Sequence, residues 1–298
     1  MWKFLVLLSV VLALAFGNVA DETCENSETC FAQAPKDAKY ASDCYFPSNH
    51  FLEVPVLAIK EETHDSKIVT LGLPSGRKLN HPVSSAILMN VPKEDGKFTL
   101  RPYNPISSEE GSFKLLIKIY PEGVAGKYVS QLKVGEKVAF KQTKGNIKKF
   151  QFPFEEAHKI TMVAGGTGIA PMYQALVPIL EQSTQQVRLL YGSKTLSDIM
   201  LKKELDELGE KYSDRFSVYY VIGDEEFDTR HEASSGYETG WVDGEKMKRF
   251  GFHPNESVAW LCGVDDMYTS LAGSRMKPLT EESALYKLGF TDTNVWRS

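Results

Sequence analysis

The rhythm of hydrophobic and polar positions changes twice along the chain. Residues 4–16 (FLVLLSVVLALAF) form one mostly apolar run. From about residue 46 to 152, short stretches alternate apolar and polar positions and are broken by Gly, Pro, Asp and Asn, with no sustained period of 3.6. Such alternation predicts half-buried strands. Residues 112–120 (SFKLLIKIY) show it best, with Phe113, Leu115, Ile117 and Ile119 on one face and Lys114, Leu116, Lys118 and Tyr120 on the other. A turn at Gly135-Glu136-Lys137 opens another strand over 138–141, and several such strands at close spacing predict a small antiparallel barrel.

After about residue 153 the pattern alternates between two kinds of element. Short apolar runs at 160–164, 187–191, 216–222 and 258–261 predict strands buried on both faces. Between them, 170–182 and 197–211 carry helical spacing, the second with Ile199, Leu201, Leu205 and Leu208 as one stripe. Alternating strand and helix means a doubly wound parallel sheet. The expected order is therefore a leader at 1–17, a Cys-containing segment at 18–46, an antiparallel β-barrel domain at 47–152 and a parallel α/β domain at 153–298.

Length agrees, since 298 residues suffice for two cores at roughly 100–200 residues each. Thirty-four basic against 39 acidic residues give a net charge of −5, which supplies no basic field for phosphate backbones and excludes nucleic acid as a partner class. The leader run, with Lys3 before it, is short for a hydrocarbon core of about 30 Å. It reads as a secretory signal peptide with small residues Ala13, Ala15 and Gly17 near its end; an uncleaved signal anchor, attaching the chain to a membrane, is the other reading. Lys3 before the run and Asp21, Glu22, Glu25 and Glu28 after it orient the body toward the lumen. There, two of Cys24, Cys30 and Cys44 can pair, and Asn255-Glu256-Ser257 is a glycosylation acceptor.

Chemistry concentrates in two segments. In residues 160–172 (ITMVAGGTGIAPM) a strand runs into a glycine-rich turn and then a helix. Glycines let the backbone approach a ligand, Thr167 offers a hydroxyl, and Pro171 suits the first turn of a helix whose amides attract negative charge. The order is not G-x-G-x-x-G, which disfavours an ordinary Rossmann dehydrogenase. The second segment is Arg101-Pro102-Tyr103-Asn104-Pro105, where a guanidinium can grip a pyrophosphate and a tyrosine two positions on projects from the same face.

Together these motifs resemble the NADH-cytochrome b5 reductase family of ferredoxin reductase-like flavoproteins. The family's Arg-x-Tyr-[Ser/Thr]-Pro is similar to residues 101–105, its Lys-x-Tyr strand to 118–120, its Gly-Gly-Thr-Gly-Ile-x-Pro-Met to 165–172, and its Cys-Gly-Pro-Pro-x-Met to Cys262-Gly263 with Met267. Leu189-Leu190-Tyr191, Asp198-Ile199-Met200-Leu201 and the closing 288–292 also resemble family segments. The resemblance covers about residues 50–298 and implies FAD and NADH as cofactors.

It further implies that Arg101 binds the FAD pyrophosphate, that Pro102, Tyr103 and Pro105 shape the flavin side, and that Asn104 approaches the flavin N5 edge. Lys118 and Tyr120 would border FAD, with Gly126, Lys127 and Ser130 holding the pyrophosphate. Thr167 would sit at the flavin–nicotinamide junction, and Gly165, Gly166, Gly168, Pro171 and Met172 would shape the dinucleotide cleft. Cys262, Gly263 and Met267 would border the nicotinamide. Asp198 would lie near the adenosine ribose and favour NADH; a helix-start charge is its plainer role. Thr167, Asn104 and Cys262 are the residues placed nearest the reacting atoms, and no metal is implied.

The chain departs from the family at Asn104, where the family has Thr or Ser. At 126–132 either Val129 or Ser130 replaces the family's serine, and Val264 and Asp265, with Asp266 next, replace two prolines. The implied activity takes hydride from NADH and passes electrons to a small heme protein of the cytochrome b5 type, which the Lys residues around the flavin edge would meet through acidic groups. Other acceptors (a quinone, a ferredoxin-like or nitrate-reducing partner) and a non-catalytic binding role are the alternatives. The leader implies the endoplasmic reticulum lumen or secretory pathway, against a membrane-anchored form or a plastid protein with a bipartite leader.

Overall fold

A computed structural model describes residues 42–93, 95–143, 152–223 and 237–298. The leader, Cys24, Cys30 and the acidic stretch beginning at Asp224 lie outside the described residues. The first sheet contains β1 (Leu52–Thr63), β2 (Ser66–Gly72), β3 (Ile87–Pro92), β4 (Phe98–Tyr103), β5 (Pro105–Glu109), β6 (Ser112–Lys118) and β7 (Lys137–Gln142). All pairings are antiparallel, in the order β4-β3-β7-β1-β2-β6-β5, and the sheet curls into a half-barrel. Helix α1 (Val124–Gln131) lies between β6 and β7 and turns Val129 into the core.

Alternation along β6 works as expected on one face, where Phe113, Leu115 and Ile117 are buried in the half-barrel core beside Phe46 and Phe140. Phe46, which the sequence reading leaves in the preceding segment, belongs to this core, and the Tyr45 amide donates to Leu79 O at 2.9 Å. The other face is not left to water. Leu116, with Ile68 of β2 and Ile106 of β5, is buried in the hydrophobic cluster of the following domain.

That domain holds β8 (Lys159–Gly165), β9 (Gln186–Ser193), β10 (Phe216–Ile222), β11 (Tyr237–Thr239), β12 (Val258–Cys262) and β13 (Val295–Arg297), all parallel, in the order β11-β10-β9-β8-β12-β13. Helices α2 (Ile169–Gln182) and α3 (Lys202–Lys211) cover one face, and α4 (Gly244–Phe250), α5 (Asp265–Ala272) and α6 (Ala284–Lys287) cover the other. The strand order reverses between β8 and β12. In open parallel sheets this is where a crevice opens outside the carboxyl ends of the strands.

The sequence pattern predicts one helix over 197–211, and here the structure differs. Residues Leu196–Asp198 form a single 3₁₀ turn, Ile199 is extended (φ −72°, ψ 99°), and Leu201 turns left-handed (φ +57°) before α3 begins. The stripe itself is buried, at Ile199, Leu201 and Leu205. Spacing reports which residues go inside; it does not register a break when the side chains on both sides of it are buried against the same core.

Candidate functional site

At the switch point the two glycine-containing segments meet. The chain leaves β8 at Gly165, makes a 3₁₀ turn over Gly166–Gly168 and enters α2. A Cβ on Gly168 would stand 1.9 Å from the Cys262 carbonyl oxygen, so the turn lies directly on the end of β12. A Cβ on Gly263 would meet Met267 Cε at 2.6 Å, and one on Gly165 would meet Met267 Sδ at 3.1 Å. Gly165, Gly168, Cys262, Gly263 and Met267 are thus brought together, with Cys262 half-buried at the strand end. Gly166 differs, taking φ +52° with open space where a Cβ would stand. Its carbonyl accepts from Tyr191 Oη of β9 at 3.2 Å. Burial pushes the Tyr191 phenol far above its ordinary value, which keeps it a donor.

The half-barrel side carries the second motif on β4 and the start of β5. Arg101 Nη1 donates to Thr99 Oγ1 at 2.7 Å and Leu100 O at 3.0 Å. Burial pushes Tyr103 up to about 12, Arg101 opposing the rise and Tyr120 adding to it, so the three side chains are electrostatic neighbours and Tyr103 is neutral at ordinary pH. Asn104 Nδ2 donates to Ser85 O at 2.8 Å and to Gln174 Oε1 of α2 at 2.9 Å, and Gln174 Nε2 also donates to Ser85 O at 3.2 Å. The Asn104 amide is therefore engaged on both sides, by Ser85 of its own domain and by Gln174 of the other, and the second bond joins the two domains.

Beyond β6, Gly126 packs against Tyr120, whose backbone oxygen would be 2.6 Å from a Cβ there. Tyr120 is exposed and Lys127 projects outward near Glu122, Nζ to carboxylate 3.5 Å. The two candidates that follow differ in burial. Val129 is buried in the core, whereas Ser130 is exposed, its hydroxyl donating to Lys127 O at 2.8 Å.

Lys118 and Asp198 meet at the seam between the domains. Lys118 Nζ lies 2.7 Å from Asp65 Oδ2 and 3.7 Å from Asp198 Oδ1, which is also 3.8 Å from His64 Nδ1. The other Asp198 oxygen accepts from the Thr195 amide at 3.1 Å and Thr195 Oγ1 at 2.8 Å. Buried and engaged on both oxygens, Asp198 caps its own 3₁₀ turn and meets Lys118 at the seam. Partial burial raises the Asp65 carboxyl, but Lys118, Thr63 and His64 outweigh it and leave it below its ordinary value. His64, Asp65 and Asp198 present donors close enough for a metal, yet the Lys118 ammonium already supplies their countercharge.

Several features of this crevice fit a dinucleotide. Neither α1 behind Gly123 nor α2 behind Gly168 has a side-chain cap or an acid in its first turn, so both N-termini can receive phosphate. Asp265 and Asp266 instead occupy the exposed first turn of α5, favourable there with the helix dipole. A groove of about 990 Å³ lined by Arg188, Lys248 and Phe290, among others, lies on the far face of the parallel sheet, and none of the candidate cofactor-site residues lines it.

Two family models match, the oxidoreductase FAD-binding domain over residues 53–150 and the oxidoreductase NAD-binding domain over 162–272. NADH-cytochrome b5 reductase 2-A of Vanderwaltozyma polyspora is 31% identical over 266 residues, covering 86% of this chain and 87% of the yeast protein. The chain belongs to the NADH-cytochrome b5 reductase family. A second relative, NADH-cytochrome b5 reductase 2 of Saccharomyces cerevisiae, is 31% identical over 83% of this chain and 82% of that protein. Among solved structures, the cytochrome b5 reductase domain of Ulva prolifera nitrate reductase superposes with TM-score 0.69 at 24% identity, covering 85% of this chain and 98% of that one. The CS-b5R domains of human Ncb5or give 0.66 at 22% identity, over 83% and 68%. At those identities they report the shared fold. The half-barrel is the FAD domain and the parallel sheet the NAD domain of a flavin oxidoreductase.

Sequence reasoning did not find Gln174, Ser85, Glu62 or Trp241. Gln174 is one polar position on an amphipathic helix, and its partner is 70 residues away. Trp241, exposed beyond β11, lies over Gly223 at the end of β10, where a Cβ would be 2.7 Å from the indole ring. Only the fold brings that ring to the carboxyl edge of the sheet.

Proposed function

We propose that this chain takes a hydride from NADH onto FAD and delivers the electrons to cytochrome b5. The observation that carries the reading is the meeting of the Gly165–Gly168 turn with Cys262 and Gly263 at the switch point, joined to the Arg101–Pro105 segment through Asn104 and Gln174. When bound, FAD would supply the redox chemistry that converts the two electrons of one hydride into two single-electron deliveries. The protein's contribution is position. Arg101 and the start of α1 would hold the flavin pyrophosphate, and Tyr103, neutral at ordinary pH, would border the flavin. The open Gly166 turn and the start of α2 would hold the dinucleotide, with Thr167 and Cys262 bordering the nicotinamide. No side-chain acid or base is required, because holding two reactants in register is the catalytic effect available here. Exposed lysines such as Lys127 offer charge to an acidic heme protein.

The purified chain should be yellow, should bleach anaerobically on adding NADH, and should then reduce cytochrome b5. A chain that stays colourless with added FAD overturns the reading. Residues 1–17 carry the features of a secretory leader, and among the described residues no helix is long and apolar enough to cross a membrane. The same proposal places the body in the secretory pathway, and a full-length chain digested by protease added outside intact microsomes would overturn that part.

A further inference from the structure

The start of α3 is held by a residue of the other domain. Its N-cap is Leu201, which has no side chain able to cap, takes a left-handed backbone and is buried. Leucine is among the poorest residues for that position, and left-handed backbone is uncommon for any residue but glycine. The Leu201 amide nevertheless has a partner, because Glu62 Oε1 of β1 accepts from it at 2.8 Å. The Glu62 side chain is only 8% exposed, and its second oxygen lies 3.3 Å from Lys60 Nζ. A half-barrel strand thus reaches 139 residues along the chain to cap a helix of the parallel sheet domain with a carboxylate, the charge that a helix N-terminus favours.

Two further contacts lie along this seam, Lys118 with Asp198 and Asn104 with Gln174. The segment that Glu62 holds follows directly on β9, whose Tyr191 supports the Gly166 carbonyl beneath the dinucleotide turn. A shift at the start of α3 therefore has a short covalent route to the cofactor crevice. We propose that Glu62 is a positioning residue, setting how the NAD domain sits on the FAD domain and so how nicotinamide meets flavin. The proposal rests on the flavin reductase reading above.

Its test uses the purified holoenzyme with two variants, Glu62→Met, which keeps bulk but removes the acceptor, and Glu62→Gln, which keeps an acceptor without charge. Hydrogen exchange at Leu201 and the first turn of α3 should rise about tenfold in E62M and about threefold in E62Q, in line with the loss of one cap. The KM for NADH in anaerobic flavin bleaching should rise severalfold in E62M and be largely rescued in E62Q, with FAD content unchanged. Unaltered exchange in E62M, or altered exchange with wild-type bleaching kinetics, overturns the proposal alone. A wild-type flavin that NADH cannot bleach overturns the functional reading and this proposal together. If E62M does not accumulate folded, E62Q against wild type decides, and no rise in exchange there overturns the role.

Discussion

Single residues at this site are constrained in different ways, and the differences can be measured. Gly168 and Gly166 stand two positions apart, yet a Cβ on the first meets the Cys262 carbonyl at 1.9 Å while one on the second meets nothing. Gly168→Ala must displace backbone at the end of β12 and should cost more than about 3 kcal/mol. Gly166→Ala bears only the left-handed backbone, roughly 1–2 kcal/mol. Denaturant midpoints of the two variants should keep that order, and reversal would mean that the turn does not rest on β12. His81 supplies a pH test. Burial lowers its pKa to about 4, the Ser85 and Ala86 carbonyls opposing the fall, whereas the unfolded ring titrates near 6.5. Between those values the unfolded state holds the extra proton, so this contribution to stability is lost as pH falls from about 6.5 to about 4, by about 3 kcal/mol at most. His81→Leu should flatten that part of the stability–pH curve, and an unchanged slope would show that another group sets it.

At the scale of elements, α5 explains how a sequence that departs from its family still fits the fold. Val264 is exposed at 59% and has φ −76° and ψ 160°, angles a proline adopts, while Asp265 is the first helical residue, where proline is also favoured. The family's two prolines and this chain's Val264-Asp265 are therefore two solutions for the same helix start. Replacing Asp265 and Asp266 by Asn should cost about 1 kcal/mol in total, through the lost dipole interaction, without raising the KM for NADH. A large rise in KM would mean that these carboxylates face the cofactor. Sequence legibility divides along the same line. The strands at 160–164 and 216–222, the glycine turn and helix 170–182 were legible because their signals are local: run length, periodicity and glycines in order. The break before α3 and the Asn104–Gln174 and Glu62–Leu201 contacts were not, because each depends on a partner 70 or 139 residues away that no local pattern announces. In residues 60–65 (KEETHD), Glu62 reads as one of several solvated charges, although the fold buries it.

The whole molecule is held by the face of the half-barrel that alternation alone would leave to solvent. On β6, Phe113, Leu115 and Ile117 point into the FAD domain core, while Leu116 is buried in the cluster built around α2 and β8. Ile68 and Ile106 join it from β2 and β5. Each such side chain contributes roughly 1.5–3 kcal/mol by leaving water, and that contribution exists only while the domains are docked. The two domains should therefore unfold together, in one calorimetric transition of the holoenzyme. Leu116→Glu places a charge in the shared cluster without touching the half-barrel's own core, so it should separate that transition into two, the barrel retaining its FAD while the parallel sheet melts earlier. Leu115→Ala, one position away and on the inner face, should instead lower the barrel's stability by about 2–5 kcal/mol while leaving the domains docked. If L116E melts in one step at a lower temperature, Leu116 is ordinary core and the coupling runs through the polar contacts at Glu62, Lys118 and Asn104; two separated steps place it in the apolar seam.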